Sequence, residues 1–254
     1  MTWRAYGASV RGTSHVRAGI PCQDAHGWRL VPGGIVGAVA DGLGSAARAE
    51  EGAELAVSMA LESIVTGFDA MRHDEVASIT EMVRAAFLAA RDALESASMA
   101  APLRDLGTTL LLAIATDGWT AVGQIGDGAI VGRWLDGRLE SLSVPLRGEF
   151  INETTPLTAD DAMQHLIVRV WPEPVQSLAL LSDGLEDLCI NLATGLPFGA
   201  FFGPFFAPLI DPPTDQFDSD LISEHLAAFL DSDRVCTRTD DDKTLLLVGA
   251  PTAS

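Results

Sequence analysis

At 254 residues the chain is long enough for one well-cored domain and short for two ordinary ones, and its 48% hydrophobic content excludes disorder as the default state. No apolar run reaches the ~18 residues of a membrane-spanning helix. The net charge of −19, from 35 Asp+Glu against 16 Lys+Arg, disfavours nucleic acid and anionic membranes as partners; it would suit a site that gathers divalent cations, but charge alone favours a solubilising acidic surface.

The N-terminus, MTWRAYGASVRG, lacks the long apolar core of a signal peptide, so a soluble cytoplasmic protein is expected. Residues 3–10 alternate as a strand does. Residues 11–25 (RGTSHVRAGIPCQDA) read as a polar, turn-rich loop of the kind that carries function. A strand over 28–31 turns at Pro32-Gly33 into GIVGAVADGLGS (34–45), where an apolar run stops at Asp41-Gly42. A helix N-capped by Ser45 is expected to follow. Ala53, Ala56, Val57, Ala60, Leu61, Ile64 and Val65 recur at helical spacing. Val76, Ile79, Val83, Ala86, Phe87, Ala90 and Leu94 do the same, which predicts two long helices packed as an antiparallel pair over an apolar sheet.

Residues 108–116, 120–125 and 129–135 are strand-like and joined by Asp-Gly dipeptides, predicting an antiparallel meander rather than βαβ units. The polar stretch 145–164 is a flap candidate with a short helix near Asp160. Strands are expected over 166–171 and 176–182, with a helical turn after Asp183. Five phenylalanines crowd 197–210; Phe198, Phe201, Phe202, Phe205 and Leu209 predict a packed helix, although Pro204 and Pro208 weaken it. Leu221, Ile222, Leu226, Phe229 and Leu230 mark a last helix capped near Ser219, and a final strand follows Asp240, Asp241 and Asp242. Three cysteines without a CxxC, Cys22, Cys189 and Cys236, predict free thiols rather than disulfides or zinc ligands.

Asp-Gly occurs at 41, 117, 127, 136 and 183, so the dipeptide alone has no functional meaning. Asp117 and Asp136 are expected in hairpin turns, where Asp bonds its own backbone. Asp127 fits a third turn and a site equally well. Asp41 and Asp183 differ, because each follows an apolar run and precedes a helical pattern. Carboxylates at strand ends suit Mg²⁺ or Mn²⁺, hard cations that take carboxylate, carbonyl and water oxygens; a following glycine lets the backbone carbonyl approach as well.

Taken in order, PCQDA (21–25), VADGLGS (39–45), GTTLLLA (107–113), IGDG (125–128), LLSDGLED (180–187) and DDKT (241–244) resemble the protein phosphatase 2C family. These are metal-dependent serine/threonine phosphatases, and the likeness is closer to their compact bacterial branch. The resemblance implies an α+β fold, an αββα sandwich of two antiparallel sheets flanked by helix pairs, in a single domain over 1–254. It implies hydrolysis of phosphomonoesters by a metal-activated water, with two Mn²⁺ or Mg²⁺ ions and, in bacterial members, a third. The implied partners are a phosphorylated protein substrate and a cognate Ser/Thr kinase. Position by position, Asp41 would bridge the two metals and the Gly42 carbonyl would bind one. Asp183 and Asp241 would complete the first metal's ligands, and Asp24 would contact metal-bound waters. Asp127 and Asp187, with Asp183, match the third-metal site.

Three positions depart from the family pattern. Gln23 stands where the family has Glu. Gly19 stands where it has a phosphate-binding Arg, leaving His15 and Arg17 as nearby replacements. Leu43 follows the first Asp-Gly, where many members have a His that serves as general acid. A seryl or threonyl alkoxide leaves poorly without a proton, so His15 or a metal-bound water is expected to supply it. The rival readings are a pseudo-phosphatase that binds a phosphoprotein without turnover, and an acidic domain whose aspartates only form turns.

Overall fold

The computed structural model describes residues 2–70, 75–99, 101–143, 154–191, 193–211 and 217–251. Chain order begins β1 (Arg4–Val10), α1 (Thr13–Ala18), β2 (Asp24–Val31), β3 (Gly34–Asp41), α2 (Ala49–Phe68) and α3 (Val76–Ser98). It continues β4 (Leu110–Thr116), β5 (Thr120–Ile125), β6 (Ala129–Trp134), β7 (Leu139–Ser141), β8 (Ile167–Trp171) and β9 (Val175–Leu181). Then come α4 (Glu186–Cys189), β10 (Ile190–Asn191), β11 (Leu196–Pro197), α5 (Gly199–Ile210), α6 (Ser219–Leu230), α7 (Asp233–Cys236) and β12 (Lys243–Gly249).

Two five-stranded antiparallel sheets stack face to face, one in the order β2-β3-β4-β5-β8 and the other β1-β12-β9-β6-β7. Successive side chains on a strand point to opposite faces, so one strand feeds two cores. Leu111, Ala113 and Ala115 of β4 meet Leu178 and Leu180 of β9 and Leu246 and Val248 of β12 between the sheets. The alternate residues Leu110, Leu112 and Ile114 face outward under α2 and α3, against Ile64, Phe68 and Phe87. On the far side Leu245 and Leu247 of β12 lie under α5 and α6, against Phe202, Phe206 and Leu226. The α+β sandwich with helix pairs on both outer faces is therefore present. Its strands read as unbroken apolar runs because both faces are buried.

Several local expectations change. The 11–25 loop contains α1, a six-residue helix with no buried side chain and hence no apolar periodicity to detect. The helix expected at Ser45 starts at Ala49, after Arg48. In the intervening loop Leu43 N–H donates to Gly107 O (2.9 Å) and Arg48 N–H to Asp105 O (2.7 Å). Those tertiary bonds satisfy the backbone that a Ser45 cap would otherwise serve. The cap of α6 is Asp218, whose side chain accepts from Leu221 N–H, while Ser219 Oγ donates to Ala5 O (2.9 Å). In α5 Phe206 is buried beside Phe202 and Leu209, while Phe198 precedes the helix and is 42% exposed.

The meander also breaks. β4 and β5 form a hairpin, with Asp117 in its turn, but β5 then pairs with β8 while β6 joins the other sheet beside β7 and β9. The chain crosses between sheets at Gly126-Asp127-Gly128, with both glycines at positive φ (+92° and +86°). A Cβ on Gly128 would come within 2.7 Å of Leu181 O. Asp136 keeps its hairpin between β6 and β7, accepting from Arg138 N–H (2.9 Å).

The first part of the flap candidate, 145–153, lies outside the described residues. Its second part, 154–164, is anchored: Leu157 N–H donates to Thr108 O (2.7 Å), Arg91 Nη1 donates to Leu157 O (2.8 Å), and Leu157 and Ala162 are buried under α3. The expected short helix is a 3₁₀ turn over Ala162–Gln164. The three cysteines are free thiols. Among the described residues no helix is long and apolar enough to cross a membrane.

Candidate active site

The C-terminal ends of β3 and β9 and the N-terminal ends of β2 and β12 meet at one edge of the sandwich, beside the β5–β6 crossover. A cavity of about 320 Å³ opens there, and Asp41, Asp127, Asp183 and Asp241 line it together with His15 and Thr154. Asp41 and Asp241 are two hundred positions apart in the chain. Facing sheets bring them together because each sheet ends a strand at the same edge.

Asp41 is fixed through its backbone. Its N–H donates to Thr109 Oγ1 (2.9 Å), and its carbonyl accepts from Thr109 N–H (2.8 Å) and Thr108 Oγ1 (3.0 Å). The following Gly42 packs so closely that a Cβ would lie 2.7 Å from the carbonyl oxygens of Ala49 and Gln23. The Asp41 and Asp183 carboxyl groups hydrogen-bond to each other. Burial raises Asp41 well above the usual carboxylate range, and the charges of Asp24, Asp183 and Asp127 add to it. Burial likewise pushes Asp183 up to about 6, against the hydrogen bond from Asp41 that lowers it. Asp183 Oδ1 is buried without a hydrogen-bond partner. A buried acceptor in this condition is costly unless a cation or donor joins it.

Asp24 stands one layer behind, paired in register with Asp41 across β2 and β3. Its Oδ2 accepts from Ser182 Oγ (2.7 Å) and Thr244 Oγ1 (2.8 Å), while Oδ1 is buried without a partner. Burial pushes this carboxyl up to about 7. Asp127 accepts from Thr154 Oγ1, which assigns it to the cavity rather than to a hairpin turn. Asp187 is exposed on α4 and does not line the cavity. Arg17 is 71% exposed and pairs with Asp240 (Nη2–Oδ2 3.0 Å), so it too stands outside the cavity.

The donors are all oxygens, in keeping with a hard divalent cation. Among the described residues no group of three or more Asp, Glu, His or Cys side chains is arranged so as to hold a metal ion.

The sequence profile of protein phosphatase 2C matches residues 11–231. The chain belongs to the protein phosphatase 2C family. It is 36% identical to Serine/threonine-protein phosphatase 3 of Escherichia coli (strain K12) over 256 residues, covering 97% of this chain and 98% of that protein. A bacterial serine phosphatase of known structure superposes with a TM-score of 0.65 at 14% identity, covering all of both chains. The catalytic domain of the serine threonine protein phosphatase PstP, solved with two manganese ions, does so with a TM-score of 0.63 at 19% identity and 97% of each chain. At these identities the two structures bear on the fold alone.

Each departure from the protein phosphatase 2C pattern has a structural setting here. Gln23 is buried, its Oε1 is unpartnered, and its N–H donates to Asp242 Oδ2 (2.6 Å). Gly19 ends α1 at φ 71°, a conformation an arginine would adopt only with strain. Leu43 lines the cavity and offers no proton. His15 lies on α1, half-buried, with Nδ1 2.9 Å from Asp242 Oδ2.

Sequence reasoning missed Thr108, Thr109, Ser182, Thr244 and Asp242. The threonines and Ser182 sat in recognised motifs but read as strand formers, and Asp242 was hidden inside a run of three aspartates.

Proposed function

We propose that this protein is a metal-dependent serine/threonine protein phosphatase that hydrolyses the phosphomonoester of a phosphorylated protein, opposite a serine/threonine kinase. The observation that supports it best is the shared cavity of Asp41, Asp183 and Asp241, with two of those carboxyls in contact and one buried oxygen unpartnered. Asp41, the Gly42 carbonyl, Asp183 and Asp241 would hold two Mn²⁺ or Mg²⁺ ions, with Asp24 acting from behind and Asp127 available to a third. When bound, such ions polarise a phosphoryl oxygen and make water acidic enough to attack at neutral pH. The structurally similar PstP domain was solved with two manganese ions, which makes Mn²⁺ the first metal to test.

The chain's own residues have separate tasks. Thr108 and Thr109 hold Asp41 against the drift that its charge and desolvation would otherwise cause. Leu43, Gly42 and Gly44 shape the floor without adding a charged group. His15, the one nitrogen-bearing side chain among the described residues lining the cavity, donates the proton that the seryl or threonyl oxygen needs on leaving.

The test is Mn²⁺-dependent hydrolysis of p-nitrophenyl phosphate and of a phosphothreonine peptide. Asp41→Asn should lower both by about a hundredfold or more, with the fold intact by circular dichroism. Undiminished hydrolysis in excess EDTA would overturn the reading.

A further inference from the structure

The acidic loop before β12 does more than present Asp241. Asp242 is almost fully buried, and each of its oxygens is fixed: Oδ1 accepts from Gly12 N–H (2.6 Å) and Oδ2 from Gln23 N–H (2.6 Å). Those two donors bracket α1, one immediately before it and one shortly after. The helix is clamped to the same loop at its first turn, where Ser14 N–H and Ser14 Oγ both donate to Asp240 O (2.9 and 2.6 Å). Within this hydrogen-bonded unit His15 Nδ1 stands 2.9 Å from Asp242 Oδ2. The approach is off the hydrogen-bonding direction; such contacts commonly align only when substrate is bound.

We propose that Asp242 is the positioning residue for His15: it takes Nδ1–H, so that the opposite nitrogen, Nε2, faces the cavity and gives its proton to the leaving oxygen of a phosphoserine or phosphothreonine. This deepens the phosphatase reading and rests on it. In the step itself water oxygen forms the new bond to phosphorus and its proton departs to solvent. The bond from phosphorus to the seryl oxygen breaks, its electron pair stays on that oxygen, and the Nε2 proton joins it. His15 is left neutral with its remaining proton on Nδ1, directed at Asp242. A carboxylate whose oxygens are already held by two backbone donors offers the ring a fixed partner, and substrate binding completes the alignment.

The experiment compares a phosphoserine peptide, whose alkoxide leaves poorly, with p-nitrophenyl phosphate, whose phenolate leaves well. His15→Ala and Asp242→Asn should each slow the peptide reaction by about a hundredfold or more and the aryl reaction far less. The double variant should be no slower on the peptide than His15→Ala alone. A purely structural Asp242 would slow both substrates alike and add its loss to that of His15→Ala, and either result would overturn the proposal. Selective loss in His15→Ala without it in Asp242→Asn would refute the positioning role and leave His15 as the acid. A wild-type protein that hydrolyses neither substrate would refute the phosphatase reading instead. Should Asp242→Asn fail to fold, ¹⁵N-histidine spectra of the Mg²⁺-loaded wild type decide the matter, with the His15 signals assigned from their loss in His15→Ala. A neutral ring protonated at Nδ1 supports the arrangement, and one protonated at Nε2 rules it out.

Discussion

Asp41 shows how a carboxyl group can be held at the cavity by its backbone. It is half-buried beside other carboxylates, and Thr109 bonds both its N–H and its carbonyl. Thr109→Val keeps the volume and leaves the Asp41 N–H without an acceptor. It should cost about 1–3 kcal/mol in urea unfolding and raise the Mn²⁺ concentration needed for half-maximal activity, with Thr109→Ser restoring both. Asp183 makes a prediction about pH. Its proton is held to about 6 in the folded chain, against 3.8 for the ordinary carboxyl. The folded state therefore binds more protons than the unfolded one across that interval. The stability this contributes is complete below the unfolded value and declines as pH rises through the folded one. Without metal, Asp183→Asn should match wild type in Tm near pH 4 and exceed it by several degrees at pH 8. A pH-independent difference would show that Asp183 is not protonated in the metal-free fold.

Among the elements, α5 and the β5–β6 crossover were the hardest to read. An amphipathic stripe in α5 was legible, but Pro204 and Pro208 lie inside the helix, and its buried set is Phe202, Phe206 and Leu209. Phe202→Ala should therefore cost about 3–5 kcal/mol, and Phe198→Ala should lie within about 0.5 kcal/mol of wild type. Chemical denaturation of the two variants checks the assignment, and equal losses would contradict it. At the crossover, Asp127-Gly128 has the chemistry of a hairpin turn, and the local signal is the same for both outcomes. What differs is the destination of the next strand. β6 pairs with β9 across the sandwich, and only that pairing turns Asp127 into a cavity residue.

For the molecule as a whole, metal held at the acidic edge of the sandwich would make stability depend on its concentration. A ligand that binds only the folded state stabilises it by about 2.7 kcal/mol at a hundredfold excess over Kd. Mn²⁺ should thus raise the wild-type Tm, and by less in Asp41→Asn or Asp241→Asn, as followed by differential scanning calorimetry. An unchanged wild-type Tm would mean that these aspartates hold no metal.

By itself the sequence determined which stretches become strands and helices, because burial writes its period into the chain wherever a helix covers one face or a strand is enclosed on both. It determined as well that Asp41 and Asp183 stand at strand ends, since an apolar run that stops at Asp-Gly can be read locally. Which carboxylates meet was a different matter. A strand apolar on both faces carries no mark of its sheet or its neighbours, and a six-residue helix with no buried side chain leaves no pattern at all. The stacking of two sheets therefore decided the cavity of Asp41, Asp127, Asp183 and Asp241, and the clamp on α1 decided the meeting of His15 with Asp242. Both depend on contacts between positions far apart in the chain, where the packing of enclosed surfaces, rather than any local propensity, selects the partner.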